Sequence, residues 1–192
     1  MLDTRKRRLT EYLILSARTG EGDALNQLAR LWHPGLLAYA ARQLGDRDAA
    51  RDALQEAWLD ILRGLPRLSE PRAFPAWAYR ILSRKCARQI GSAVRQRETA
   101  DAVMIDPTEP DQAEPEAETR AELQLIRRAI AALPPGQRAA MTLHYLEQMS
   151  LTEIALVLQI PVGTAKTRLM HGRKSLKAAL NLIETGETDE HE

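Results

Sequence analysis

Ser150 and Glu153 stand three residues apart at the head of the apolar run LTEIALVL, and that pairing predicts a helix start. The serine hydroxyl can accept from the third helical amide while the glutamate reaches back to the serine amide, a capping box. Ile154, Ala155 and Leu158 then share one face of a short helix. Pro161 interrupts the pattern, and because proline is at home in a first turn, a second helix is predicted from there. It carries Ala165 and Leu169 inward and exposes Lys166, Arg168, Arg173, Lys174 and Lys177. No acidic residue occurs from Leu158 through Ile183. Two short helices on a tight turn, the second one basic, form a helix-turn-helix, whose second helix enters a DNA major groove. Thr164, Lys166 and Thr167 lie near its N-terminus, with His171, Arg173 and Lys174 following. An ordinary helical hairpin with a solvated basic face shares the pattern.

At 192 residues the chain has room for one or two domains, each with a modest core. It is 44% hydrophobic but only 4% aromatic, rich in Ala, Leu and Arg, which favours helices over sheets. A net charge of +1 says nothing about nucleic acid; the distribution of charge does. One cysteine, Cys86, excludes an internal disulfide and a cysteine-based zinc site. The histidines, His33, His144, His171 and His191, have no ligand spacing, so neither metal nor cofactor is expected. The basic N-terminus has a short apolar run broken by Glu11 and Arg18, unlike a signal peptide, and nothing reaches the roughly 18 apolar residues of a span. The expected location is the cytoplasm. Phosphate-loop, zinc-protease and nucleophile-elbow motifs are all missing, so no enzyme is expected.

Residues up to about Leu44 read as one or two amphipathic helices. Leu25, Leu28, Leu31 and Trp32 share a face, and Leu36, Leu37, Ala40 and Ala41 continue it after a break at Pro34-Gly35. The next helix, Asp46 to Leu65, has an apolar stripe of Leu54, Trp58, Ile61, Leu62 and Leu65. Nearly opposite runs an acidic row, Asp48, Asp52, Glu56 and Asp60, with Gln55 beside it. Like charges at four-residue steps repel by a few tenths of a kcal/mol per pair, so the row is either a solvated face or a site for a basic partner. Pro66, Pro71 and Pro75 then enforce a loop and a helix start near Phe74. From Pro71 to Arg97 seven basic residues (Arg72, Arg80, Arg84, Lys85, Arg88, Arg95, Arg97) occur without an acid, the footprint of a polyanion partner. From Glu98 to Thr119 there are eight acids, three prolines and no basic residue, a linker composition. Helices resume at Arg120, with Leu123, Ile126, Ile130 and Leu133 in a stripe before Pro134-Pro135-Gly136. Met141, Leu143, Tyr145 and Leu146 read as core, His144 as a surface or packing residue. The tail after Leu182 is acidic and expected to be disordered.

IPVGTAKTRLMHGRKSL resembles the end of the extracytoplasmic-function (ECF) sigma factors of the sigma-70 family, where this helix reads the −35 promoter element. AARDALQEAWLDIL resembles the helix by which that family grips the β′ clamp coiled coil of RNA polymerase, with Asp52, Gln55 and Glu56 on its D-x-x-Q-E positions. The stretch from Pro66 to Arg97 is similar to the family's −10 reader, and AIAALPPGQRAAMTLHYLEQMSLTEIA to the helices that support the −35 reader.

The resemblance implies an all-α chain of two small helical domains, sigma region 2 at 10–97 and sigma region 4 at 120–184. They flank an acidic linker at 98–119 and precede a tail at 185–192. It implies polymerase contacts from Asp48, Asp52, Gln55, Glu56 and Asp60, and −10 contacts from Arg67, Arg72, Trp77, Arg80, Arg84 and Arg88. There, flipped bases would sit in a pocket at Leu65 to Arg72 while arginines clamp phosphates. Trp77 either stacks on a base or packs in the core beside Phe74 and Ile81. The −35 contacts would be Thr164, Lys166, Thr167, Arg168, His171, Arg173 and Lys174. The linker is either a passive tether or a nucleic-acid mimic in the polymerase cleft. Implied partners are core polymerase (β′ clamp and β flap), promoter DNA and an anti-sigma factor.

This chain departs from the family at Gln159, where glycine is common in the turn, and at Arg84 and Arg88, where asparagine and aspartate are common. Two other functions fit parts of the pattern: a dimeric helix-turn-helix regulator independent of polymerase, and a sigma-like decoy for an anti-sigma factor.

Overall fold

The computed structural model describes residues 4–99 and 128–186, which contain helices and no strand. The helices are α1 (Thr4–Arg18), α2 (Ala24–Leu44), α3 (Arg47–Gly64), α4 (Phe74–Thr99), α5 (Pro135–Tyr145), α6 (Leu151–Leu158) and α7 (Val162–Gly186). α1 to α4 form one unit and α5 to α7 a second. The acidic segment from Asp101 to Glu118, the apolar positions Leu123 and Ile126, and the last six residues lie outside the described residues.

In the first unit, α2 hands over to α3 within two residues. Gly45 takes a left-handed φ of 70° and donates its amide to the Ala41 carbonyl, and Asp46 accepts the Ala49 amide at 2.6 Å to cap α3. α2 does not break at Pro34-Gly35 as its sequence predicts. The proline costs one backbone hydrogen bond, but Leu28, Trp32, Leu36 and Tyr39 are buried along one continuous stripe, and that burial holds the two halves in line. Trp32, fully buried, donates its indole N–H to the Thr10 hydroxyl at 3.0 Å and meets Phe74 edge-on at 5.7 Å. Leu25 and Leu62, expected inside, are exposed, and Ala50, Ala53 and Ala57 line the covered face of α3 instead.

In the second unit the capping box is present: Ser150 Oγ accepts the Glu153 amide at 3.2 Å, and Glu153 Oε2 accepts the Ser150 amide at 2.8 Å. Leu143, Ile154, Val157, Ala165 and Leu169 form the core between α5, α6 and α7. Tyr145 and Leu146, read as core, are instead exposed at the C-terminal end of α5. α7 starts at Val162, one residue beyond Pro161, and continues to Gly186, two residues into the stretch assigned to the tail.

The turn between α6 and α7 is closed by Gln159 with φ 54° and ψ 47°, a left-handed conformation. A side chain there costs about 1 kcal/mol or more relative to glycine. Gln159→Gly is expected to raise stability by about 1 kcal/mol in a denaturant melt, since the turn geometry already matches glycine; no gain would mean the Gln159 side chain holds the turn by contacts of its own.

The two units share one continuous core, with α4 against α6 and α2 against α5. Arg138 of α5 donates to the Gln43 carbonyl of α2 at 2.8 Å, and Arg7 of α1 pairs with Glu153 of α6 at 3.3 Å.

Candidate polymerase and nucleic-acid interfaces

The outer face of α3 carries a regular pattern. Asp48, Asp52, Gln55, Leu59 and Leu62 are all exposed and follow one another at alternating steps of four and three residues. That is the spacing of a coiled-coil seam, so the face can lie along another helix over several turns. Leu59 and Leu62 are 48% and 45% exposed, a large apolar contribution for an uncovered helix face. Leu59 is absent from the sequence-derived site, although its spacing from Asp52 and Gln55 carried the signal.

The acidic row does not act as one. Glu56 and Asp60 turn toward α4, where Lys85 Nζ reaches Glu56 Oε2 at 3.2 Å and Asp60 Oδ2 at 2.8 Å. Lys85, read with the polyanion-binding run, instead ties the two helices together. Its hydrogen bond to Asp60 holds that carboxyl below the ordinary carboxylate range, and the same bond raises the Lys85 ammonium above the ordinary lysine range.

A lowered Asp60 pKa stabilises the fold above the ordinary carboxylate range, and this is lost as pH falls through the lowered value. A raised Lys85 pKa stabilises it below the ordinary lysine range and is lost as pH rises through the raised value. The tie is therefore expected to hold through neutral pH and fade at both extremes. Lys85→Met should flatten both shoulders of a stability-versus-pH curve; unchanged shoulders would show that Lys85 carries none of the dependence.

The loop from Leu65 to Ala73 is built from two 3₁₀ turns, Leu65–Arg67 and Pro71–Ala73, each with a proline in its first residues. Arg67 and Arg72 are exposed on it, and Arg72 Nε lies 3.4 Å from Glu11 Oε2 of α1. Trp77 is half-buried: it covers Gly64, where an added Cβ would come within 2.7 Å of the indole, and packs on Phe74 at 6.1 Å. Core packing accounts for it. Arg80, Arg84 and Arg88 follow at one-turn intervals on α4, the first half-buried and the other two exposed. The side chains of Arg95 and Arg97 lie outside the described residues.

On α7 the outer face presents Lys166, Thr167, His171 and Lys174, with Thr164 half-buried at its edge. Thr167 donates its hydroxyl to the Gly163 carbonyl at 3.0 Å. Arg168, predicted to be exposed, is half-buried and packed against Gly136 of α5, where an added Cβ would lie 3.0 Å from its guanidinium carbon. The missing side chain of Gly136 is what lets it fold back there. Arg173 donates Nε–H to the Tyr145 hydroxyl at 2.6 Å, and its guanidinium stands 5.6 Å from that ring centroid. His144 Nδ1 lies 3.1 Å from the Met149 carbonyl, in a packing role. Among the described residues, no cluster of His, Cys, Asp and Glu is placed to hold a metal, and no helix is long and apolar enough to cross a membrane.

A helical unit with an exposed seam and an arginine-bearing helix, joined to a helix-turn-helix unit, defines a class. The chain belongs to the sigma-70 family: the family model described as Sigma-70 region 2 matches residues 28–96, and that described as Sigma-70, region 4 matches 123–176. Within it the chain is an ECF-type sigma factor. It is similar to ECF RNA polymerase sigma factor SigW of Bacillus subtilis (strain 168), 29% identical over 87% of this chain and 94% of that relative. The RNA polymerase sigma-H factor of Pseudomonas aeruginosa is 28% identical over 88% of this chain and 93% of its own. SigM of Mycobacterium tuberculosis is 28% identical over 95% of this chain and 90% of its own. The fold is shared with the sigma factor RpoE solved with the anti-sigma factor NepR from Bartonella quintana, with TM-score 0.70 and 24% identity over 83% of this chain and 98% of that one. It is shared also with CnrH, solved with the cytosolic domain of CnrY, with TM-score 0.63 and 24% identity over 91% and 98%.

Proposed function

We propose that the chain binds core RNA polymerase through α3 and directs it to promoters, reading the −10 strand with α4 and its preceding loop and the −35 duplex with α7. The observation that carries this reading is the seam on α3. Its heptad spacing, with acids toward one end and Leu59 and Leu62 toward the other, suits a basic-and-apolar coiled coil such as the β′ clamp. Asp48, Asp52 and Gln55 make the direct contacts; Glu56 and Asp60 hold α3 on α4 through Lys85.

Arg67, Arg72, Arg80, Arg84 and Arg88 provide phosphate contacts along the separated strand, and arginines at 84 and 88 make that grip less selective. Lys166, Thr167, His171 and Lys174 meet the −35 groove, with Thr164 at the helix start and Arg173 held on Tyr145. Region 2 is assigned to residues 10–97 and region 4 to 120–184, with 98–119 as the acidic connection and 185–192 as tail. The β flap is the expected polymerase contact of region 4. An anti-sigma factor is the expected regulator, as a chain of this fold was solved with one. The chain does no chemistry of its own and works in the cytoplasm.

The deciding experiment is a pull-down with bacterial core polymerase followed by run-off transcription on a genomic fragment library. Co-purification and new start sites that share −35 and −10 elements are expected. A chain that binds duplex DNA and ignores core would instead be an independent regulator, and one that captures only an anti-sigma factor a decoy.

A further inference from the structure

Tyr145, exposed at the end of α5, is occupied by a residue of α7. Met141 of α5 lies against Gly172 of α7, where an added Cβ would come within 2.7 Å of the methionine Cγ. The bare glycine lets the two helices approach. One turn further along α5, the Tyr145 ring meets Arg173, the residue next to that glycine. Arg173 donates Nε–H to the phenol oxygen at 2.6 Å, and its guanidinium carbon stands 5.6 Å from the ring centroid. Those two contacts fix the plane of the guanidinium and leave its Nη hydrogens for a partner. Among the described residues Arg173 forms no ion pair, and no acid occurs from Leu158 through Ile183.

Tyr145 is itself held from behind. The His144 ring meets it edge-on at 4.9 Å and is tied through Nδ1 to the Met149 carbonyl at 3.1 Å. Gln148, left-handed at φ 56°, turns the chain just beyond α5 and donates its side-chain amide to the Tyr145 carbonyl at 3.0 Å. Tyr145 and Arg173 are both exposed, so this support serves a surface and not the core. Arg173 follows Lys166 by two turns of helix and precedes Lys174 by one residue, which sets it on the border between α5 and the outer face of α7.

We propose that Tyr145 is a positioning residue of the −35 interface, holding the Arg173 guanidinium ready for one phosphate at the edge of the groove. This rests on the sigma reading of α7 above. A phosphate takes an arginine through two parallel N–H bonds in the guanidinium plane. With Nε turned to the phenol, the pair of Nη groups remains as the fork. Setting its plane before binding removes the ordering that a loose side chain would undergo on the DNA. The contact carries no base sequence, so it strengthens the hold on every duplex alike.

The test is a double-mutant cycle with Tyr145→Phe and Arg173→Lys. It is read on the full-length chain by fluorescence anisotropy against a mixed-sequence duplex over a salt series. Phenylalanine keeps the ring without the oxygen, and lysine keeps the charge without the Nε–H or the fork. Each single variant is expected to lower affinity roughly threefold, and the double variant no further than Arg173→Lys alone. The salt slope should hold in both, since the charge is kept, and fall by about 0.9 in Arg173→Ala. NMR of the chain free of DNA reads the contact itself. Exchange of the Arg173 Nε–H, identified by its absence from Arg173→Lys, should quicken roughly tenfold in Tyr145→Phe, with melting temperatures unchanged.

Additive losses in the double variant, or equal Nε–H exchange with and without the hydroxyl, overturn the positioning role. An unchanged salt slope in Arg173→Ala overturns the phosphate contact. Failure of the wild type to bind core polymerase counts against the sigma reading alone, because the exchange rates and duplex affinities are measured without polymerase.

Discussion

Asp52→Lys is expected to detach the chain from core polymerase while leaving its melting temperature unchanged. Asp52 is exposed on the α3 seam, so its replacement costs the fold little and acts on the partner. Truncating or reversing one member of a close interfacial charge pair costs about 2–5 kcal/mol, or roughly thirtyfold to several thousandfold in affinity. Glu56→Lys behaves differently. Its side chain faces Lys85, so reversal sets two ammonium groups together and lowers the melting temperature as well as polymerase binding. Titration against labelled core polymerase, with a thermal melt of each variant, separates the two. Equal losses of stability in both variants would mean that the acidic row acts as a unit after all.

The second large effect lies at the other end of the chain. Lys166→Glu combined with Lys174→Glu should abolish initiation at −35-dependent promoters and leave polymerase binding intact. Both lysines are exposed on the outer face of α7, outside the packing of the second unit. Each phosphate contact adds about 0.9 to the slope of log affinity against log salt, so two lost contacts flatten that slope by about 2 before repulsion is counted. Salt titration of the holoenzyme on a −35 duplex measures this, and abortive initiation assays read the loss of activity. A double variant with undiminished −35 dependence would place the reader on another face. Arg168 is a weaker choice for this test, because it packs on Gly136 and its loss disturbs the helix pair as well.

The helices and the second unit's entry were largely legible in the chain. Ser150 with Glu153, the Pro161 stop and the inward Ala165 and Leu169 are local signals, set by capping and period, and the structure carries them all. Gln159 in a left-handed turn was legible too, as a departure from the expected glycine. The errors share one physical origin. Pro34 looked like a break because the local cost was visible and the long-range burial of α2 was not. Leu62, Tyr145 and Leu146 looked like core because apolar periodicity states what can be covered, not what is covered. Lys85 and Arg168 were grouped with outward basic runs, although their partners, Asp60 and Gly136, lie 25 and 32 residues away. Sequence patterning resolves neighbours within a turn or two; a cross-helix ion pair or a glycine-made berth depends on the packing.

The division of the α3 seam into an acidic half and an apolar half gives it a direction. A uniformly acidic strip would accept a basic rod laid either way round, and a uniformly leucine strip would let it slide. With Asp48 and Asp52 at one end and Leu59 and Leu62 at the other, a rod turned end for end would set its cations on the leucines and its apolar side chains on the carboxylates. Slippage by one heptad would carry it past the boundary between the halves. On the proposed reading the strip would work as a keyed socket, and the key, not the strength of the grip, would decide which way α4 and its arginines face once the protein is seated.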